Sequence, residues 1–151
     1  MRTRAITDRQ LKQLCEALPW RDSLAMRLMR TTGLRVSDLL ALRKADIDLR
    51  MAVREQKTGK TRIVRLTPAL VRECARYGAM HRGEKLFTCD RSTLYRSVHS
   101  TALRLGFERI SAHSARKAYA RSYARKHGIE ATQRHLGHTS MSTTLIYLHD
   151  L

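Results

Sequence analysis

Six side chains spread along the sequence have types that together could act on a phosphate: Arg35, Lys57, His113, Arg116, His138 and Tyr147. Two guanidinium groups can neutralise non-bridging phosphate oxygens, each through a pair of parallel hydrogen bonds. A lysine ammonium can protonate a leaving oxygen. Histidines can move protons or donate hydrogen bonds, and a phenol can attack. Such a set completes a phosphoryl transfer through a covalent intermediate and calls for no metal and no cofactor. Tyr147 follows His138 by nine residues, with only Leu148, His149, Asp150 and Leu151 after it. Few contacts hold residues near a terminus, so a phenol placed there is easily moved. A competing zinc reading would use His135, His138 and His149, with no cysteine close by to complete the ligand set.

Composition points the same way. Thirty Lys and Arg against thirteen Asp and Glu give a formal charge of +17 and a pI of about 11.0. A charge that large opposes a compact state unless an anionic partner offsets it, and nucleic acid is the usual one. Arginine supplies 23 of the basic residues and lysine 7, a bias that favours forked phosphate contacts over plain solubility. Cys15, Cys74 and Cys89 match no zinc or disulfide spacing. Reduced thiols in the cytoplasm are therefore expected. No apolar run approaches the ~20 residues of a membrane span, and no secretory leader is expected.

The elements that must position the six residues can be read from periodicity and punctuation. Thr7 or Asp8 caps a helix over about 8–18, with Leu11, Leu14, Cys15 and Leu18 at helical spacing and Pro19 ending it. A second helix starts at Asp22 or Ser23 and stops at Gly33. A third starts at Ser37 or Asp38, which places Arg35 in the turn before an amide-rich helix N-terminus. From Ile47 to Leu66 the period changes to two, with Val53 and Glu55 on one side. The Gly-containing stretch 56–61 between the two runs makes a β-hairpin with Lys57 and Lys60 near its tip. Either lysine could face a phosphate, because sequence does not set the register. Thr67-Pro68 opens a helix, and Asp90 caps another over about 91–105. Ser111 caps a helix running to about Lys126, which puts His113 and Arg116 on one face of its first turn. Helices over about 130–136 and 141–148, the latter capped by Ser140 or Ser142, finish the chain.

Taken with their neighbours and in this order, these residues resemble the tyrosine recombinases of the phage integrase family. The resemblance rests on Thr32-Gly33-Leu34-Arg35 with Asp38 and Leu39, Lys57-Thr58-Gly59 in a hairpin, His113-x-x-Arg116, Leu136-Gly137-His138, and Tyr147, and it covers about Thr7 to Leu148. It implies a mainly α fold with a small antiparallel β-sheet (α+β), the tyrosine recombinase catalytic-domain fold. It implies an enzyme that cleaves and rejoins double-stranded DNA through a 3′-phosphotyrosyl bond, working as a homo-oligomer on DNA, in the cytoplasm and away from membranes, with a bacterial, phage or mobile-element origin. By the resemblance, Tyr147 is the nucleophile, Arg35 and Arg116 hold the phosphate, and Lys57 is the general acid, with Lys60 as its competitor. His113 assists proton transfer, His138 hydrogen-bonds the phosphate, and Asp38 orients Arg35. Family members usually carry an N-terminal DNA clamp (core-binding) domain. Too few residues precede the first helix to hold one, so 1–151 is expected to be a single catalytic domain with the clamp absent. Two alternatives share the fold: a type IB topoisomerase-like nicking–closing enzyme, and a catalytically silent DNA-binding regulator.

Overall fold

The computed structural model describes residues 2–138 and 141–149; the side chains of Met141, Ser142, Tyr147 and His149 fall outside that description. Among the described residues there are eight α-helices and one hairpin: α1 (Asp8–Ala17), α2 (Trp20–Thr32), α3 (Val36–Leu40), β1 (Arg50–Arg54), β2 (Thr61–Arg65), α4 (Pro68–Gly78), α5 (Arg91–Arg104), α6 (His113–His127), α7 (Ile129–Leu136) and α8 (Met141–His149), with a 3-10 turn at Lys44–Asp46. The mainly helical α+β architecture expected from periodicity is the one observed. Among the described residues no helix is long and apolar enough to cross a membrane, and the three cysteines are free thiols.

Helix α2 is the centre. Leu24, Ala25, Met26, Leu28 and Met29 are all buried, so apolar side chains cover most of its circumference. A helix that is apolar nearly all round must be wrapped by others. Here α1, α4, α5 and α6 pack against it, β2 lies along it, and α7 and α8 close over α6.

Most expected caps are in place. The Thr7 hydroxyl accepts from the Gln10 amide while the Gln10 side chain accepts from the Thr7 amide, a reciprocal box at the start of α1. Thr67 caps α4 and Asp90 caps α5 through the Leu70 and Thr93 amides. Ahead of α6, the Ser111 hydroxyl accepts from the His113 amide and the Ser114 hydroxyl accepts from the Ser111 amide. This box fixes the backbone of the turn that carries His113 and Arg116. Ser140 and the side chain of Ser142, the expected caps of α8, lie outside the described residues.

Two helix starts differ from expectation. Helix α2 begins at Trp20 with Pro19 as its N-cap, because proline's fixed φ ends one helix and opens the next without needing an amide. Asp22, expected as the cap, is instead fully buried; it pairs with Arg21 at 2.8 Å and accepts from the Ser97 hydroxyl at 2.5 Å. Helix α3 begins at Val36, with Arg35 at the N-cap.

In the hairpin, Arg50 pairs with Arg65, Met51 with Val64, Ala52 with Ile63, Val53 with Arg62 and Arg54 with Thr61. Met51, Val53, Arg62 and Val64 face inward, and Glu55, continuing the alternation of β1, is buried with them.

Candidate functional site

One corner of backbone organises the site: the end of α2 and the turn after it. Gly33 closes α2 in the left-handed region at φ 72°, where L side chains are disfavoured. A β-carbon there would also run into the ring of Tyr119 on α6. Glycine thus lets the two helices approach and turns the chain sharply, which brings Arg35 to the head of α3.

Arg116 reaches this corner from α6. It is 1% exposed, with Nη1 donating to the Gly33 carbonyl at 2.5 Å and Nη2 donating to the Leu136 carbonyl at 3.3 Å. These carbonyls belong to the C-terminal ends of α2 and α7, where orphaned carbonyls and the helix dipole favour a cation. The guanidinium therefore joins three helices. Arg35 comes from the opposite side and is mostly buried; its Nη1 donates to Glu55 Oε2 at 2.5 Å. The orientation expected from Asp38 is thus made by Glu55. Asp38 is buried, and its Oδ1 accepts from the Gln56 amide at 2.9 Å. It pins the root of the hairpin turn.

The hairpin turn rests on the loop that carries His138. Gly137 ends α7 in the left-handed region at φ 71°, and a β-carbon there would lie 3.2 Å from Thr58 Cγ2. That close approach puts Lys57, itself exposed to solvent, beside the site. His138 is half-buried, and its Nδ1 lies 2.7 Å from the Thr144 hydroxyl of α8 in hydrogen-bonding contact. Position 147 follows Thr144 by three residues in α8. The Tyr147 side chain, the nucleophile expected from sequence, lies outside the described residues.

Electrostatics tie the remaining residues together. His113 is pushed down to about 4, by burial first and then by the positive charges of Arg116, Lys117, Arg35 and Arg91. His138 is also pushed down to about 4, by burial and then by Arg116, Arg35 and Lys57. Both rings are therefore neutral near pH 7 and sit in the field of the same two arginines. Lys57 is among the positive charges that lower His138. Arg35, Arg116, His113, His138 and Lys57 thus form one cationic cluster.

Sequence reasoning missed the groups behind that cluster. Arg62 is 7% exposed; its Nε donates to Glu55 Oε1 at 3.1 Å and its Nη1 donates to the Thr32 carbonyl at 2.8 Å. His135 Nε2 lies 2.6 Å from the Tyr119 hydroxyl and 3.3 Å from Arg62 Nη1. A guanidinium can only donate, so this nitrogen is an acceptor and the ring is neutral. Burial and Arg62 accordingly push His135 down to about 4. The zinc reading thereby loses His135 Nε2 as a ligand. The signal for Glu55 and Arg62 was present, since each shares strand parity with inward apolar neighbours, Val53 and Val64. A charge on an inward face needs a buried counter-charge.

Comparison with known proteins places the chain in a well-populated neighbourhood. Residues 4–151 match the phage integrase family. The tyrosine recombinase XerA of Saccharolobus solfataricus is 33% identical over 153 residues, covering 97% of this chain and 52% of that protein. The tyrosine recombinase XerD of Shewanella oneidensis is 32% identical over 148 residues, covering 85% of this chain and 49% of its own. The chain spans about half the length of these curated relatives. Among solved structures, the XerA recombinase superposes with a TM-score of 0.79 at 28% identity, over 99% of this chain and 61% of that one. The lambda integrase catalytic core superposes with a TM-score of 0.73 at 24% identity, over 91% and 92% of the two chains, a likeness of fold.

Proposed function

The chain belongs to the phage integrase family, and from that premise we propose that it is the catalytic unit of a site-specific DNA recombinase, which cleaves and rejoins duplex DNA through a 3′-phosphotyrosyl intermediate. The observation that carries this reading is the convergence of Arg35, Arg116, His113, His138 and Lys57 on the corner that ends α2. A scissile phosphate is the ligand whose charge and size suit two guanidiniums flanked by an ammonium and two neutral imidazoles.

In this mechanism the Tyr147 phenol attacks phosphorus. A tyrosyl oxygen–phosphorus bond forms and the bond to the 5′ oxygen breaks. Lys57 gives its proton to that leaving oxygen. His113 takes the phenolic proton, and the incoming phosphate anion offsets the positive field that holds His113 low in the free site. With the Thr144 hydroxyl donating to Nδ1, His138 keeps its proton on Nε2 and donates it to a phosphate oxygen. Arg35 and Arg116 stabilise the charge gathering on the non-bridging oxygens. Attack by a 5′-hydroxyl on the phosphotyrosine reverses these steps and rejoins the strand. Solved relatives include a lambda integrase dimer on a core site and a tetramer on a Holliday junction. By analogy this chain assembles on DNA as a homo-oligomer.

The test uses a duplex nicked close to the scissile position, so that the short 5′-hydroxyl fragment diffuses away and traps the adduct. Wild type is expected to give a DNA-linked band on a denaturing gel, with EDTA present throughout. Tyr147→Phe is expected to bind the same duplex and give no band. A band that survives in Tyr147→Phe moves the nucleophile elsewhere. Its absence from wild type on a duplex it binds overturns the enzymatic reading in favour of a DNA-binding protein.

A further inference from the structure

Arg35 is held by a chain of contacts that begins at the corner already holding Arg116. The Thr32 carbonyl accepts from Arg62 Nη1, and Arg62 Nε donates to one oxygen of Glu55. The other oxygen of Glu55 accepts from Arg35 Nη1. The next carbonyl, that of Gly33, accepts from Arg116. Two consecutive carbonyls thus place both arginines of the cluster, Arg116 directly and Arg35 through Arg62 and Glu55.

We propose that Glu55 is a positioning residue for Arg35, locking its guanidinium through Nη1 so that the Nε–Nη2 edge is presented to the scissile phosphate. The role rests on the recombinase reading above. Glu55 is 2% exposed and its second oxygen is fixed by a buried arginine, so it does not follow Arg35 if that side chain swings. A carboxylate so close to a phosphate site opposes anion binding by simple Coulomb repulsion. It favours the reaction only if the orientation it gives Arg35 outweighs that repulsion, and displacement of a catalytic group by about 1 Å can cost on the order of a hundredfold in rate. Asp38 is directed elsewhere, its Oδ1 accepting from the Gln56 amide.

The experiment measures single-turnover adduct formation on the nicked duplex, duplex affinity at low salt, and thermal melting. It compares wild type, Glu55→Gln, Glu55→Asp, Arg35→Lys and the double variant Glu55→Gln/Arg35→Lys. Glu55→Gln is expected to slow adduct formation by roughly ten- to a hundredfold, while affinity holds or rises because a negative charge has gone. Glu55→Asp keeps the charge on a shorter arm and is expected to fall between the two. The double variant is expected to be no slower than Arg35→Lys alone, since the effect passes through Arg35. Faster cleavage with tighter binding in Glu55→Gln would mark a brake and overturn the proposal, and an unchanged rate would overturn it equally. A slowdown that persists in full on the Arg35→Lys background places the action of Glu55 elsewhere. Parallel losses of melting temperature, affinity and rate reduce Glu55 to a structural ion pair. If wild type forms no adduct, the recombinase reading fails and takes the Glu55 role with it, a result distinct from a Glu55 variant that behaves like an active wild type.

Discussion

Arg116 holds the fold together and, on the proposed function, also serves the chemistry. Its guanidinium is buried and spans the carbonyls of Gly33 and Leu136, which are far apart in sequence and on different helices. Lysine keeps the charge but has one compact ammonium, which cannot bridge both carbonyls and still present a planar edge to a phosphate. Arg116→Lys is therefore expected to lower stability by about 1–3 kcal/mol in a urea titration, the usual cost of leaving a buried acceptor unsatisfied. Adduct formation is expected to fall by roughly a hundredfold or more under conditions where the variant stays folded, as when a preorganised oxyanion donor is lost. A variant that cleaves at the wild-type rate would separate Arg116 from the chemistry. The spacing His113-x-x-Arg116 made the shared helical face legible. It carried no sign that Arg116 is buried, because that depends on where two distant helices end. Glu55 was legible as an inward residue of β1 but not as the partner of Arg35, since nothing in a period-two pattern says which element covers the face.

At the scale of the elements, the hairpin carries an apparent flaw with a use. Its outer face sets Arg50 directly opposite Arg65, next to the Ala52–Ile63 and Arg54–Thr61 pairs. Like charges in directly opposed positions destabilise a sheet. Arg65→Glu turns the repulsion into a cross-strand ion pair and is expected to raise stability by ~0.2–1 kcal/mol, read as a higher urea midpoint at low salt that fades as salt is added. An unchanged or lower midpoint at low salt would show that the two side chains splay apart. On the proposed function, uncompensated cations there favour the DNA phosphates, which would account for tolerating the pair. The hairpin itself followed from alternation, but its register did not. It is set by Gly59 at φ 70°, by the Glu55–Lys60 backbone bond, and by Asp38 on the Gln56 amide, and the last comes from another element. The start of α2 was misread for a related reason. Asp22 looks like a cap from its neighbours, yet its partner Ser97 lies 75 residues away.

For the whole molecule, the local signals of period and capping suffice for the list of elements, while the contacts that assemble the site are long-range. Arg116 and Gly33 are 83 residues apart, and Arg62 and His135 are 73 apart. The resemblance in motif order named Arg35, Lys57, His113, Arg116 and His138, which share one positive field here, and gave no sign of the Glu55–Arg62 pair behind them. Net charge, by contrast, is a property of the whole chain that sequence states outright. At +17, with Arg50, Arg54, Lys57, Lys60 and Arg65 exposed on one hairpin, duplex binding should be dominated by release of condensed counterions. Each phosphate neutralised contributes about −0.9 to the slope of log affinity against log salt. About six contacts would give a slope near −5 and a loss of roughly a thousandfold between about 50 and 200 mM salt. Fluorescence anisotropy on a labelled duplex of arbitrary sequence measures this directly. Arg65→Glu, which stabilises the hairpin, should weaken that binding and make the slope shallower by about one if Arg65 meets a phosphate. A slope near zero in wild type would mean that the positive surface is only a solvated one, and that affinity, where present, comes from base contacts.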